Sequence, residues 1–458
     1  MTPLDAAFLE AEDEEPGVSM AISSIAVFEG PAPTYAEFAD LVTGRLPLIP
    51  RYRQKAREIP FDLGPPVWVD DAEFDLTYHL RHTALPAPGG DAELSALMGR
   101  IMSARLDRSR PLWEYWLVDG LADGRWALIS KVHHCMVDGV SGTDLYTVVL
   151  DPSRRKRRGV PDDWRPAREP STLALLAAAA GNLLLQPVQQ LRLAVAAVRH
   201  PRTLAAYWWT VGRGLWALSE ALIPARKSSL TGSLSASRRF ALARTSLTQV
   251  KAVRRELGGT VNDVVLTAVT GGFRALLLAR GETPAADSIR ALVPVNVRAP
   301  GEEKIRDNRV SLMLAHLPVH VVDPVERLHA VRSHLDELKS AHETDSVVLL
   351  TELARREPFP FVAPGYRLAA RLPQRSIVTV VTNVPGPRKP LYALGRQLVE
   401  IIPYVPIGST LRTGVSILSY CDSVAFGVTG DFDEADIAVL AHGIETSLAE
   451  LGDLVPTS

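Results

Sequence analysis

Cysteine is almost absent from the sequence: Cys135 and Cys421 are the only two in 458 residues. Two thiols build neither a disulfide framework nor a cysteine-rich zinc centre, and such sparse use is consistent with the cytosol. Excess charge of either sign is absent too. Fifty Lys and Arg against 52 Asp and Glu leave a formal net charge of −2, so no global positive field draws nucleic acid. The opening stretch MTPLDAAFLEAEDEE is acidic and carries neither the basic nor the apolar region of a secretion signal. Also missing are the G-x-S-x-G elbow, the P-loop, G-x-G-x-x-G and H-E-x-x-H. What is left is 47% apolar and 22% charged: an ordinary globular composition, long enough for two packed domains.

The near-zero net charge hides an asymmetry. Ser153 to Ser228 holds 13 Lys and Arg against 4 Asp and Glu. It opens with RRKRR (Arg154 to Arg158), and from Ser171 to Leu191 it has no charged side chain. The length suits a transmembrane helix, but Asn182, Gln186, Pro187, Gln189 and Gln190 interrupt it. A second apolar stretch, Leu204 to Ile223, carries Trp208, Trp209, Trp216 and Arg213. Two readings stand side by side. The pair lies on a membrane surface with Arg and Trp at headgroup level, or it is a helical linker with its apolar face buried in the protein.

This stretch divides the chain into residues 1–152, a linker at 153–235 and a second lobe at 236–458. In the first lobe Thr34 to Glu37 is a capping box, Trp126 to Val132 reads as a strand, and Gly139 to Leu150 as a helix. In the second, Ser246 to Gln249 is another capping box with its helix ending near Gly258, and Thr260 with Asp263 caps a helix to about Arg280. Strands are expected at Ile289–Val297, Val310–Leu317 and Ser376–Thr382. Val415–Tyr420 and Val424–Val428 form a hairpin. Asp323-Pro324 opens a helix, and Asp433 caps the last one. Alternating strands and helices in both lobes give an α/β or mixed α+β architecture.

The sharpest local feature is His133-His134-Cys135-Met136-Val137-Asp138-Gly139, where the strand ending at Val132 turns towards a helix. Strand ends gather reactive side chains in α/β folds. An imidazole there suits general-base work, because its ordinary pKa lies near working pH. Asp138 either binds the imidazole or turns away to pair with a cation and hold the loop. Gly139 permits close backbone approach. A metal pair is the competing reading, but neighbours on an extended chain point to opposite sides, and no further His or Cys cluster lies nearby in sequence. A purely structural histidine is the other. Nothing marks Cys135 as a low-pKa thiol.

HHCMVDG matches the H-H-x-x-x-D-G motif of the bacterial wax ester synthase/acyl-CoA:diacylglycerol acyltransferase family, and the resemblance runs nearly the full length. Pro3-Leu4-Asp5 with Phe8-Leu9, Pro50 to Lys55, Phe74 to His82 and Pro111-Leu112-Trp113-Glu114 resemble its first half. Asn262-Asp263, Pro294 to Arg298, Asn308 to Ser311 and Thr382 to Pro387 resemble its second. One departure stands out: the family commonly has a His in the strand after the acidic N-terminus, and here the run is Ser19-Met20-Ala21-Ile22-Ser23.

The resemblance implies a chloramphenicol acetyltransferase-like fold, as in peptide-synthetase condensation domains. Two similar lobes, each a mixed sheet with helices, enclose a tunnel at their junction. It implies His134 as general base with His133 in support, and Asp138 as a structural residue paired with an Arg of the other lobe. Arg298 is the candidate, against a plain surface Arg at a strand end. Asn262, Asn383 and backbone N–H groups near Gly139 are candidate oxyanion donors. Against that, Asn262 could cap its helix, Asn383 could shape the turn before Pro385-Gly386-Pro387, and Asp263 could complete the cap to Thr260. The implied reaction moves a long-chain acyl group from acyl-CoA, a co-substrate, to diacylglycerol or a fatty alcohol, without cofactor or metal. The expected location is the cytoplasm, peripherally at a membrane or lipid droplet. A natural-product acyltransferase using a carrier-protein thioester or a specialised alcohol acceptor, and a non-catalytic lipid-binding protein, are the alternatives.

Overall fold

A computed structural model of the chain describes residues 1–15, 17–137, 148–181, 228–296, 310–340, 376–433 and 436–455. Helix α1 (Pro3–Glu14) opens with a reciprocal cap, Thr2 accepting from the Asp5 amide and Asp5 from the Thr2 amide. Then follow β1 (Ala21–Phe28), α2 (Tyr35–Thr43), a hairpin of β2 (Gln54–Arg57) and β3 (Val67–Asp70), and the short α3 (Leu76–His79). Next come β4 (Leu80–Ala84), α4 (Asp91–Ser103), β5 (Trp113–Asp119) and β6 (Trp126–His133), with helix α5 at Thr172–Gly181. The remainder holds β7 (Arg238–Ser246), α6 (Leu247–Leu257), α7 (Val261–Ala279), β8 (Arg290–Asn296), β9 (Val310–His316) and α8 (Pro324–Ser340). It closes with β10 (Thr379–Pro385), β11 (Tyr392–Ala393), β12 (Arg396–Tyr404), β13 (Thr413–Tyr420), β14 (Ser423–Asp431) and α9 (Ile437–Asp453).

Two six-stranded mixed sheets result, in the orders β11-β12-β1-β6-β5-β4 and β7-β14-β13-β10-β8-β9. This is the expected two-lobe α/β architecture. One stretch crosses the division at residue 236: β11 and β12 come from the second half of the chain yet extend the first sheet, with β12 antiparallel to β1. Alternation along a strand says which face is buried and nothing about which sheet receives it.

Most expected elements form, and two caps differ because their side chains take partners distant in sequence. The boxes at Thr34–Glu37 and Thr260–Asp263 are complete. At Ser246 only half a box forms. Its Oγ accepts from the Gln249 amide, but the Gln249 side chain accepts from Thr245 Oγ1 and donates to the Leu448 carbonyl. The last helix does not start from Asp433. It follows Asp436, whose carboxylate takes two bonds from Arg280 and caps nothing. The strand expected at Ser376–Thr382 sits three residues later and runs into the Pro-Gly-Pro turn. The helix expected at Gly139–Leu150 falls outside the described residues from 138 to 147, as do Trp208, Trp209, Arg213 and Trp216.

Among the described residues one helix, α7, is long and apolar enough to cross a membrane, and 67% of its most apolar window is buried within the protein. Its Val264, Val265, Val269, Phe273 and Leu276 belong to the second lobe's core. Its apolar length therefore serves packing, as in many soluble core helices.

The lobes meet through backbone and through buried charge. Arg244 of β7 donates to Asp91 of α4 and to Glu400 of β12, two bonds to each carboxylate. Buried Arg238 donates to the Gly17, Ser235 and Ser237 carbonyls and to Asp431. Its own amide donates to Ser103 Oγ at the end of α4. Between the sheets, Gly427 of β14 lies so close to β12 that a Cβ there would stand 1.7 Å from the Pro403 carbonyl oxygen. Neither backbone can yield without breaking a ladder. Gly427→Ala is therefore expected to destabilise the fold by about 3 kcal/mol or more. Gly181→Ala, at a position with open space around it, is expected to leave the midpoint of urea unfolding unchanged. Equal midpoints for both variants would refute this account of the junction.

Candidate active site

Strand β6 carries the two adjacent histidines to its end, and it is bonded on both edges up to that point. Ala21 of β1 pairs with His133. The His133 amide donates to the Leu112 carbonyl and the His134 amide to that of Met20, at 2.9 and 3.0 Å. Leu112 and Trp113, both fully buried, thus fix the strand end. Trp113 stacks on Tyr52 and His79 and donates through its indole N–H to the Tyr52 carbonyl. Pro111-Leu112-Trp113 acts through packing here.

At His134 the strand gives way to a single 3-10 turn, His134–Met136. Strand alternation stops there, so the rings of His133 and His134 do not diverge as they would on an extended chain. Both reach helix α1, which lies across the turn. Phe8 stacks on the His134 imidazole, centroids 4.0 Å apart at 24°. One helical turn on, Glu12 Oε1 stands 3.7 Å from His133 Nε2. Positions four apart share a helix face, which is why one helix can serve both rings.

The two imidazoles have different surroundings. His133 is buried; its Nδ1 accepts from the Cys135 amide at 3.2 Å and lies 3.0 Å from the Cys135 sulfur. A nitrogen that accepts carries no proton, which places the ring N–H on Nε2, towards Glu12. Glu12 is itself buried, yet its pKa is pushed down to about 2. Burial alone would raise it, but the His133 ring, the Met20 amide and Arg108 together outweigh burial. His134 is partly accessible. Burial first, and the neighbouring His133 second, push its pKa down to about 4. The ring is neutral across the physiological range and free to accept a proton. The Cys135 thiol is buried, and burial pushes its pKa strongly upward. A buried thiol held protonated is no nucleophile.

In the second lobe, the turn between α6 and α7 needs positive φ at both Gly258 and Gly259. It delivers the first turn of α7. There Thr260 and Asp263 form the cap, Asp263 Oδ2 accepting from the Thr260 amide at 2.7 Å. Asn262 does not cap: its Oδ1 accepts from Asn383 Nδ2 of β10 at 3.1 Å. The structure therefore joins Asn262 to Asn383, and among the described residues no hydrogen bond links either to His134. Asp138, Gly139 and Arg298 lie outside the described residues. No group of three or more His, Cys, Asp or Glu with metal-ligand spacing occurs among the described residues. A groove of about 750 Å³ opens where α4, β7 and α9 meet, lined by Gly99, Ser103, Arg238, Phe240, Arg244 and His442 among others. None of its walls comes from the 133–137 turn.

Phe8 and Glu12 are residues at the candidate site to which motif reading gave no role. The F-x-x-x-E spacing on an acidic amphipathic start was visible in the sequence, but nothing there says which loop the helix covers.

Residues 1–265 match the wax ester synthase/diacylglycerol acyltransferase catalytic domain and residues 307–452 the WS/DGAT C-terminal domain. A Mycobacterium tuberculosis protein named as a probable diacylglycerol O-acyltransferase is 41% identical over 454 residues, 98% of this chain and 95% of the relative. Among solved structures, the wax ester synthase/diacylglycerol acyltransferase of Marinobacter aquaeolei superposes with a TM-score of 0.69 at 28% identity, covering 98% of each chain. The starter condensation domain of rhizomide synthetase, at 14% identity and TM-score 0.57 over 99% of this chain and 95% of that one, shares the fold.

Proposed function

Since the chain belongs to the wax ester synthase/diacylglycerol acyltransferase family, we propose that it esterifies diacylglycerol from acyl-CoA with His134 as the general base. Acyl-CoA-dependent O-acyl transfer is the reaction of the family, and relatives named for diacylglycerol span nearly the whole chain. The observation that carries the residue assignment is the state of His134: partly accessible, neutral through burial, and fixed at the end of a strand bonded on both edges.

His134 takes the proton of the acceptor hydroxyl as the oxygen attacks the thioester carbonyl. The carbonyl π pair moves onto oxygen, and the tetrahedral oxyanion collapses with cleavage of the C–S bond. The departing CoA sulfur takes the proton from the imidazolium and leaves as the thiol, which restores the neutral His134 ring. No acyl-enzyme forms, in keeping with a buried, protonated Cys135. The Asn262–Asn383 pair offers amide donors for the oxyanion. Asp138 paired with Arg298 would hold the loop, and Gly139 would allow substrate to approach the backbone; these roles rest on the motif alone.

We also propose a peripheral lipid contact for a cytoplasmic enzyme. Phe61, 84% exposed, is held at positive φ in the turn whose Gly64 approaches Ala179 of helix α5, and Leu173 of that helix is 79% exposed. Part of the basic run at 154–158 is engaged on the body: Arg157 pairs with buried Asp151, and Arg154 pairs with Glu29 and lies over the Tyr392 ring. Docking then depends on apolar insertion more than on charge. Phe61→Asp with Leu173→Asp should lower co-sedimentation with diacylglycerol-containing vesicles severalfold while leaving unfolding unchanged. Undiminished binding would remove this surface from consideration.

For the reaction itself, release of CoA thiol from a long-chain acyl-CoA should require an alcohol, diacylglycerol above fatty alcohols. His134→Ala should lower kcat by about 10²–10⁴-fold without altering the circular dichroism spectrum. The base works only when unprotonated, so kcat/KM should hold steady through pH 5–7 and fall as pH drops through about 4. Glu12, with its pKa near 2, stays ionised across that window. Full turnover in pure His134→Ala protein would end the assignment, and an acid limb centred on 6.5 would contradict the burial argument.

A further inference from the structure

Helix α1 is held over the histidine turn by more than apolar contact. Its last turns are acidic, with Glu10, Glu12, Asp13 and Glu14 at the end where the helix dipole disfavours anions. Two arginines from the connection after α4 answer this. Arg108 donates to the Leu9 carbonyl, to Glu12 Oε2 and to Asp13, and Arg105 to the carbonyls of Glu12, Glu15 and Val18. Glu12 also accepts from the Met20 amide, so the helix cannot roll without breaking buried bonds. The face it is forced to present carries Phe8, parallel to His134.

We infer that α1 is a positioning element and Phe8 a positioning residue for the candidate base. The ring covers one face of the His134 imidazole, selects its rotamer and leaves the nitrogens at the edge for the hydroxyl. The inference rests on the reading of His134 as the base and adds the device that aims it. A stacked aromatic at 4.0 Å keeps water from that face without taking a nitrogen, as a hydrogen-bonding side chain would. The charged and titratable groups around the turn are His133 and Cys135 on the turn itself, Asp5 and Glu12 on α1, Arg105 and Arg108 after α4, and Arg51 beyond. None of them changes in a Phe8 variant, so a change in the pH profile reports the stacking.

The test compares Phe8→Leu, Phe8→Trp and His134→Ala in the full chain, by thiol release from a long-chain acyl-CoA with diacylglycerol. Leucine fills much of the space but cannot stack. Phe8→Leu should lower kcat by about ten- to a hundredfold with KM for acyl-CoA unchanged. Its acid limb should move up by about one pH unit as water reaches the ring. Phe8→Trp should restore both. A Phe8→Leu enzyme with wild-type kcat and acid limb overturns the inference. So does one whose kcat falls with the limb unmoved and no recovery in Phe8→Trp, since that is packing alone. His134→Ala separates the two failures: if it turns over normally, the assignment of the base is wrong; if it is inactive while Phe8→Leu behaves as wild type, only the role of α1 is wrong.

Discussion

The bonding of β6 along both edges governs the site. A strand end is ordinarily free to fray, yet His133 and His134 donate their amides to Leu112 and Met20, one on each side. The carbonyl acceptors just before two neighbouring strands thus fix the backbone at the place where the candidate base leaves it. Leu112 can do this because Trp113 beside it is locked between Tyr52 and His79. Met20 can do it because its own amide is tied to Glu12. The position of one imidazole is set by packing that begins two layers away.

A second regularity is how the fold handles its buried cations. Lys131, two residues before His133, is buried in the sheet and donates to the carbonyls of Ile101 and Ala104 at the end of α4. Burial lowers its pKa to about 8. Arg105 and Arg108 do the same for the end of α1, and Arg238 for carbonyls at 17, 235 and 237. Helix C-termini leave carbonyls unpaired and carry partial negative charge, so Lys131 and Arg105 are held by acceptors that would otherwise be orphaned, while Arg238 is held by loop carbonyls. These contacts occur where helices meet the sheets around the site. They tie α1, α4 and the second lobe to the frame that carries β6.

Local signals in the sequence were legible where the chain answers only to itself. The complete boxes at Thr34 and Thr260, the strand Trp126–His133 and the hairpin of β13 and β14 follow from spacing and alternation. The two failed caps share one cause, a distant partner that outbids a local one. Gln249 is drawn to Leu448 and Asp436 to Arg280, and neither partner can be read from a window of a dozen residues. The same holds for β12, whose alternation is clear but whose place beside β1 is not. At the site, the His-His motif marked the chemistry, while its support by Phe8 and Glu12 depends on a helix folding back across more than a hundred residues of chain. The pairing of Asn262 with Asn383 is likewise a contact of topology.

Burial of the imidazole raises a question of chemistry, because a ring that resists protonation is also a weak base. In thioester-to-ester transfer the proton is not stored. It leaves the attacking hydroxyl as charge passes to the carbonyl oxygen, and it is wanted again when the thiolate departs. A strongly basic imidazole would speed the first transfer and slow the second. A ring kept neutral by its surroundings is always available for the first and gives up its proton readily in the second. The cost falls on the attack step, where donors to the oxyanion lower the same barrier. A relay between two sulfur- and oxygen-bound states needs an imidazole that is aimed well more than one that is strongly basic, and the clamped helix across the turn supplies the aim.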